Sequence, residues 1–372
     1  MPWKFFNRAK SNRHDDERMT TQAVGGVALP VQDTRAAIEE LSQVVKNDPE
    51  AVEIYLALGS LYRSQGEIER AIQIRNSLIL RPGLEREFKA RAFFELGRDF
   101  RRGGFLDRAE KAFQQARNNG YDPTSIHLEI ANLSAERGNF ERAADGYGEL
   151  DLPLAQAHYL VRAAKEMLEE GDVPHGKRFL RHAVRAYPGA IEAWQEKLLL
   201  AYGAEDYSDL SELLNDSFEK VRPNLRFVLL EALYLACCSK NAVDTSPDHE
   251  ESVSEIVLKI IQNHEPEVLL CYYAALFKMK VRDFGQARSW LEKALVLSPD
   301  FWLARLELFE LSRNDQTLTP FFKEQLNFFI ERARSVRRFY CRQCGLKRDQ
   351  VFFNCPRCRS WHSIAFRTDF SQ

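Results

Sequence analysis

The sequence predicts an all-α chain of stacked helix pairs, an α-solenoid superhelix, closed by a small metal-stapled module. Two observations carry this expectation. Large and small apolar residues recur at nearly constant spacing from Tyr55 to Pro299, and two Cys-x-x-Cys pairs lie close together near the C-terminus. The chain of 372 residues, 45% hydrophobic, is long enough for one elongated domain and a small second one.

The net charge of −2 divides unevenly. Residues 1–14 carry Lys4, Arg8, Lys10 and Arg13 and no acid. Residues 331–367 hold ten Arg or Lys against Glu331 and Asp349, so the middle is acidic and both ends are basic. Residues 1–33 read as a polar, disordered tail whose Trp3, Phe5 and Phe6, mixed with basic residues, suit an anionic membrane surface. No apolar run reaches the roughly 18 residues of a membrane span. There is no long apolar core of a signal peptide.

From Thr34 to Val336 the chain reads as helix pairs. Tyr55-x-x-Leu58-Gly59-x-x-Tyr62, with Gly66 and Ala71, is one unit, and Phe93-x-x-Leu96-Gly97-x-x-Phe100, with Gly104, Ala109 and Phe113, is the next. His127-x-x-Ile130-Ala131 and Leu160-x-x-Ala163-Ala164 follow, and Cys271-x-x-Ala274-Ala275 restores the pattern after a divergent stretch between Trp194 and Pro266. Small residues let two antiparallel helices approach, and large ones fill the gap between them. A single pair cannot bury its apolar face, so the pairs must stack. This is the tetratricopeptide repeat. The polar run Ser239–Glu251 is expected to be a long loop, and Phe321–Val336 a closing helix.

Cys341-Arg-Gln-Cys344-Gly345 and Cys355-Pro-Arg-Cys358 form two turns, each aiming two sulfurs at one point. Four converging thiolates make a tetrahedral S4 site for one structural metal ion, zinc foremost and iron as the alternative. His362 is a conceivable competing ligand, but the cysteines suffice and a closed shell leaves no position for substrate. Phe339, Tyr340, Val351, Phe352, Phe353, Trp361, Ile364 and Phe366 are expected to give residues 337–372 a small core of their own. A segment this short usually needs such a metal, and structural zinc supplies about 10–16 kcal/mol. The reading is a rubredoxin-like zinc ribbon, docked on the last repeats because the connection is short. The remaining cysteines, Cys237, Cys238 and Cys271, sit in apolar stretches, and seven cysteines so arranged indicate a reducing compartment.

No catalytic constellation is present: H-E-x-x-H, a phosphate-cradling Gly-Lys-Ser/Thr loop and G-x-S-x-G are all missing. The expected role is non-enzymatic, with no small-molecule substrate. First helices of such repeats line a groove, and Arg63, Phe94, Arg98, Arg101, Asn132 and Lys165 fall on its expected positions. Pockets beside a basic stripe suit an acidic or C-terminal peptide. The alternative is nucleic-acid binding through the ribbon residues Arg337, Arg338, Arg342, Lys347, Arg348, Arg357 and Arg359. The acidic repeats oppose it.

Residues 51–72 (AVEIYLALGSLYRSQGEIERAI), Leu96–Phe100 and Gly104–Glu110 resemble the repeats of the lipopolysaccharide assembly protein B family. Tyr340–Gly345 and Cys355–Trp361 resemble that family's rubredoxin-like tail. The similarity covers residues 34–365, and the family's metal ligands fall on Cys341, Cys344, Cys355 and Cys358. The resemblance implies an adaptor at the cytoplasmic face of the inner membrane. Such an adaptor helps the membrane protease FtsH degrade the lipid A deacetylase and works with lipopolysaccharide assembly proteins. Family members usually begin with a membrane-spanning helix. This chain begins with a basic-aromatic segment, so it is expected either to reach the membrane peripherally or through a partner, or to have lost that attachment.

Overall fold

The computed structural model describes residues 36–43, 51–239, 247–314 and 319–369. The N-terminal tail and most of the expected loop at Ser239–Glu251 lie outside the described residues. Helix follows helix: α1 (36–43), α2 (Val52–Gln65), α3 (Ile68–Ile79), α4 (Arg86–Arg102), α5 (Leu106–Asn118), α6 (Pro123–Glu136), α7 (Phe140–Glu149), α8 (Pro153–Glu169) and α9 (Val173–Ala186). There follow α10 (Ile191–Gly203), α11 (Tyr207–Lys220), α12 (Arg226–Ser239), α13 (Pro247–Gln262), α14 (Val268–Lys280), α15 (Phe284–Leu297), α16 (Trp302–Asn314) and α17 (Pro320–Arg334). Three short strands close the chain: β1 (Phe339–Cys341), β2 (Lys347–Arg348) and β3 (Ile364–Phe366), in the order β2-β1-β3. Both pairings are antiparallel, with Phe339 opposite Arg348 on one side and Phe366 on the other. The chain divides into two compact units, Met1–Ile126 and His127–Gln372.

One turn device joins the helices of six pairs, α2–α3, α4–α5, α6–α7, α8–α9, α10–α11 and α14–α15. A residue in the left-handed region ends the first helix, and the next residue starts the second. Gly66, Gly104, Gly138 and Gly171 hold this position with φ between 79° and 86°, where glycine carries no steric penalty. Glu205 (φ 57°) and Arg282 (φ 62°) hold it in the α10–α11 and α14–α15 turns. The residue that follows often caps the second helix. The side chains of Asn139, Asp172, Asp206 and Asp283 each accept the backbone N–H three residues on. The α10–α11 pair therefore continues the repeat into the stretch that reads as divergent, where Glu205 in place of glycine hides the turn.

In the first unit, Gly97 lies where a Cβ would stand 2.5 Å from the Phe113 ring, so only glycine lets α4 and α5 meet this closely. The preceding pair fills the equivalent space differently. Arg75 is completely buried, and an added Cβ on Gly59 would stand 2.7 Å from its guanidinium. Arg75 donates to the carbonyl of Leu56 (2.8 Å) and the Ser60 hydroxyl (3.0 Å), and it pairs with the buried carboxylate of Asp99 (3.4 Å). A buried cation thus stands where the repeat pattern anticipates a large apolar side chain, and it is tolerated because its donors are satisfied.

In the second unit, the hydrophobic core runs without a break from α10 to α16 and into the strands. Phe339, Cys341, Cys355, Ile364 and Phe366 belong to the same buried cluster as Leu229, Tyr273 and Phe301. The ribbon therefore does not have the separate core expected from its aromatic and apolar residues. Its inward residues complete that of the helices.

Candidate metal centre

Each Cys-x-x-Cys turn is closed by the same two backbone hydrogen bonds. The N–H of Cys341 donates to the Leu346 carbonyl and that of Gly345 to the Cys341 carbonyl, both at 2.9 Å. In the second turn the N–H of Cys355 donates to Ser360 (2.9 Å) and that of Arg359 to Cys355 (2.8 Å). The equivalent residues Gly345 (φ 70°) and Arg359 (φ 59°) both adopt the left-handed conformation. In each turn the second cysteine's sulfur accepts the backbone N–H two residues on, from Leu346 and Ser360. The two halves are near-copies, although only one has the glycine that advertises its geometry.

All four sulfurs lie within 4.8 Å of one another. Cys341 and Cys358 approach to 3.6 Å and Cys344 and Cys355 to 3.7 Å. A tetrahedron with metal–sulfur bonds of about 2.3 Å has edges of about 3.8 Å, and a disulfide needs about 2.05 Å. The set therefore fits one tetrahedral metal ion and not a pair of disulfides. Two hydroxyls also lie beside the sulfurs: Ser363 Oγ is 3.2 Å from Cys341 Sγ, and Ser360 Oγ 3.2 Å from Cys358 Sγ. Burial opposes ionisation of Cys358, but the hydroxyl and N–H of Ser360, with the neighbouring thiols, bring it down to about 6.

His362, the conceivable fifth ligand, points elsewhere. Its Nε2 lies 2.9 Å from Oε2 of Glu192 on α10, whose other oxygen meets His158 Nδ1 of α8 at 3.2 Å. An ionised carboxylate only accepts, so both imidazoles present an N–H to it. Burial pushes the Glu192 carboxyl up, yet the two histidine hydrogen bonds outweigh it and hold the group at about 2. Trp361 lies edge-on to His158, with centroids 4.8 Å apart. A second buried carboxylate, Glu231 of α12, accepts from Arg338 and from the Tyr273 hydroxyl, both at 2.7 Å. Phe366 then wedges between Phe227, Tyr272, Phe301 and Phe339. Docking is thus onto α8, α10, α12 and α14 as well as the last helices, further back along the chain than the short connection implied.

The structure treats the expected groove residues unequally. Phe94 is 7% exposed and stacked on Tyr121, so its ring serves the core of the first unit. Arg63 is turned inward to Glu95 (2.7 Å) and Asp99 (2.6 Å), and Arg98 pairs with Glu95 at 3.1 Å. Arg101 is half-buried in the same helix. In the second unit, Asn132 accepts from the Tyr147 hydroxyl (2.7 Å), and Lys165 pairs with Glu196 (2.8 Å) while keeping 41% of its side chain exposed. The basic stripe of α2 and α4 is largely neutralised by Glu95 and Asp99, acids on the same face that residue counting along groove positions passed over.

The fold and the cysteine cluster define an all-α tetratricopeptide-repeat protein carrying a C-terminal module whose four cysteines could hold one metal ion. The tetratricopeptide repeat family profile matches residues 27–83 and 94–151. Beyond the repeats, the chain is similar over 97% of its length to lipopolysaccharide assembly protein B of Escherichia coli K12. That relative is 22% identical, with 94% of its own length covered. The same-named protein of Haemophilus influenzae is 25% identical over the same shares. The resemblance to the lipopolysaccharide assembly protein B family therefore spans repeats and cysteine module together. Among solved structures, the Naa15/Naa10 complex bound to HypK-THB aligns with a TM-score of 0.46 at 17% identity, covering 76% of this chain and 44% of that one. MamA aligns with a TM-score of 0.33 at 19% identity, covering 42% and 89%. Among the described residues no helix is long and apolar enough to cross a membrane.

Proposed function

We propose that this chain is a non-enzymatic scaffold that regulates lipopolysaccharide synthesis, acting as an adaptor that brings the lipid A deacetylase to the membrane protease FtsH. The observation that carries the reading is the whole-length similarity to lipopolysaccharide assembly protein B, whose span of 97% of this chain takes in the cysteine module as well as the repeats. The scaffold works at the cytoplasmic face of the inner membrane, held there peripherally. Zinc is the ion of the site: a closed tetrathiolate shell serves structure, and zinc adds no redox chemistry to it.

The client is an acidic segment. In the second unit, Lys165 is the cation at an expected groove position that retains exposure. A cavity of about 400 Å³ on α9–α11, lined by Lys177, Arg181 and Lys197 against the single acid Asp209, with Leu200 and Leu213 as apolar walls, adds a second surface with a cationic excess. Nucleic-acid binding through the ribbon has less support, because Arg338 is held by Glu231 and Arg342 lies against the Asn224 side chain.

The test is the half-life of the lipid A deacetylase in the native host with and without this protein. A longer half-life on depletion supports the adaptor. An unchanged half-life refutes it and leaves a metal-capped repeat scaffold with another client.

A further inference from the structure

The exposed aromatic residues of the described chain concentrate on α17. Phe321, Phe322, Phe328 and Phe329 are 71, 49, 62 and 64% exposed, while Ile330 of the same helix is buried and Ala333 packs against the core. The helix is held to α16 by Arg334, which pairs with Glu307 and Glu310, and by Arg313, which donates to Asn327. These contacts leave the phenylalanine face open. Residues seven apart share one helical face, so the two Phe-Phe steps form a single stripe two turns long.

The pattern is symmetric. Phe-Phe-Lys-Glu-Gln-Leu-Asn-Phe-Phe, from Phe321 to Phe329, places phenylalanines three and four residues either side of Gln325. An identical helix laid antiparallel presents Phe328 and Phe329 to Phe321 and Phe322, and the reverse, which is the self-complementarity of a two-fold interface. With about 200 Å² for a full phenylalanine, the face offers roughly 500 Å² per copy and a pair buries roughly 1,000 Å², the lower limit for specific association. The flanking charges, Lys323 with Glu324 and Glu331 with Arg332, cancel, so an anionic membrane gains nothing from them.

We propose that α17 is a homodimerisation helix. Two copies of the chain pair antiparallel through Phe321, Phe322, Phe328 and Phe329, with the two Gln325 side chains meeting on the two-fold axis.

Sedimentation velocity of the full metal-loaded chain tests this. The expected result is a monomer–dimer equilibrium in the micromolar range, and a single monomeric species for the Phe322→Glu, Phe329→Glu double variant with unchanged helicity and metal content. In a Cys238→Ser background, which removes an exposed thiol of the helical repeats, Gln325→Cys gives a disulfide-linked dimer on mild oxidation and Lys323→Cys does not. Three results would overturn the proposal: a monomer at every concentration, a dimer indifferent to the double substitution, or a dimer in which Cys at 325 fails to crosslink. Sedimentation of the monomer with phosphatidylglycerol vesicles, lost in the double variant, would reassign the face to lipid.

Discussion

Replacing Phe366 by Ala separates a ribbon that folds by itself from one that completes the core of the helices. The ring is 5% exposed, with centroid distances of 5.5 Å to Phe339, 5.8 Å to Phe227 and 6.2 Å to both Tyr272 and Phe301. Two of those partners lie in α12 and α14 and a third, Phe301, directly precedes α16, so most of the lost packing is shared with the helical part. A buried Phe→Ala change costs about 3–5 kcal/mol. In a folding unit of this size each kcal/mol moves the melting midpoint about 2–4 °C, for an expected drop of about 6–20 °C. The sulfur cluster is untouched, and its binding free energy of about 10–16 kcal/mol keeps one metal per chain. The assay follows helix content by far-UV circular dichroism and metal release by a chromogenic chelator in the same thermal ramp. Both midpoints are expected to fall together. If metal release moved to lower temperature while the helical transition stayed in place, the shared core would be refuted.

Cys341→Ser removes one of four ligands and is expected to take bound metal from one ion per chain to none, by elemental analysis of purified protein. Full metal content in that variant would mean that the four sulfurs are not the site. Glu192→Gln tests the carboxylate between His158 and His362. The group's pKa falls from the ordinary 4.5 to about 2 on folding, so its stabilisation is complete above about pH 4.5 and lost as pH falls through about 2. That difference is on the order of 3 kcal/mol. Urea midpoints of wild type should fall over this window and those of the variant should fall less; parallel curves would remove Glu192 from the acid response. Gly97→Ala puts a Cβ 2.5 Å from Phe113 and is expected to cost about 1–3 kcal/mol by overpacking in the first unit. Gly66→Ala, which meets no atom within 4 Å, should lose only the left-handed turn preference; equal stability of Gly97→Ala and wild type by urea titration would show that α4 and α5 are less closely packed.

The docked ribbon has a functional corollary. Because Phe339, Ile364 and Phe366 lie in one cluster with α12, α14 and α16, a change at the metal site reaches the repeats through packed side chains. Loss of metal is therefore expected to alter the surface these helices offer a partner, beyond its effect on the ribbon alone.

Much of this was legible in the chain. The glycines at 66, 104, 138 and 171 mark turns that demand a left-handed residue, and the paired cysteines mark a metal turn whatever surrounds them. Legibility failed where a less expected residue filled a standard position. Glu205 replaces glycine in a turn, Arg359 replaces it in the second cysteine knuckle, and Arg75 replaces a large apolar residue between α2 and α3. Phe94 was illegible for a related reason: a position on a repeat pattern does not state whether its side chain turns to solvent or to the next ring, here Tyr121.

Sequence by itself determined the repeating helix pair, its turns and the four-sulfur donor set, because each depends on residues within about 40 positions of one another and on local backbone preference. Only the tertiary structure decided where the ribbon sits. His362 reaches Glu192 across 170 positions, and Arg338 reaches Glu231 across 107. A buried carboxylate must find its donors wherever folding brings them, and nothing in the neighbourhood of either glutamate in the sequence names the partner.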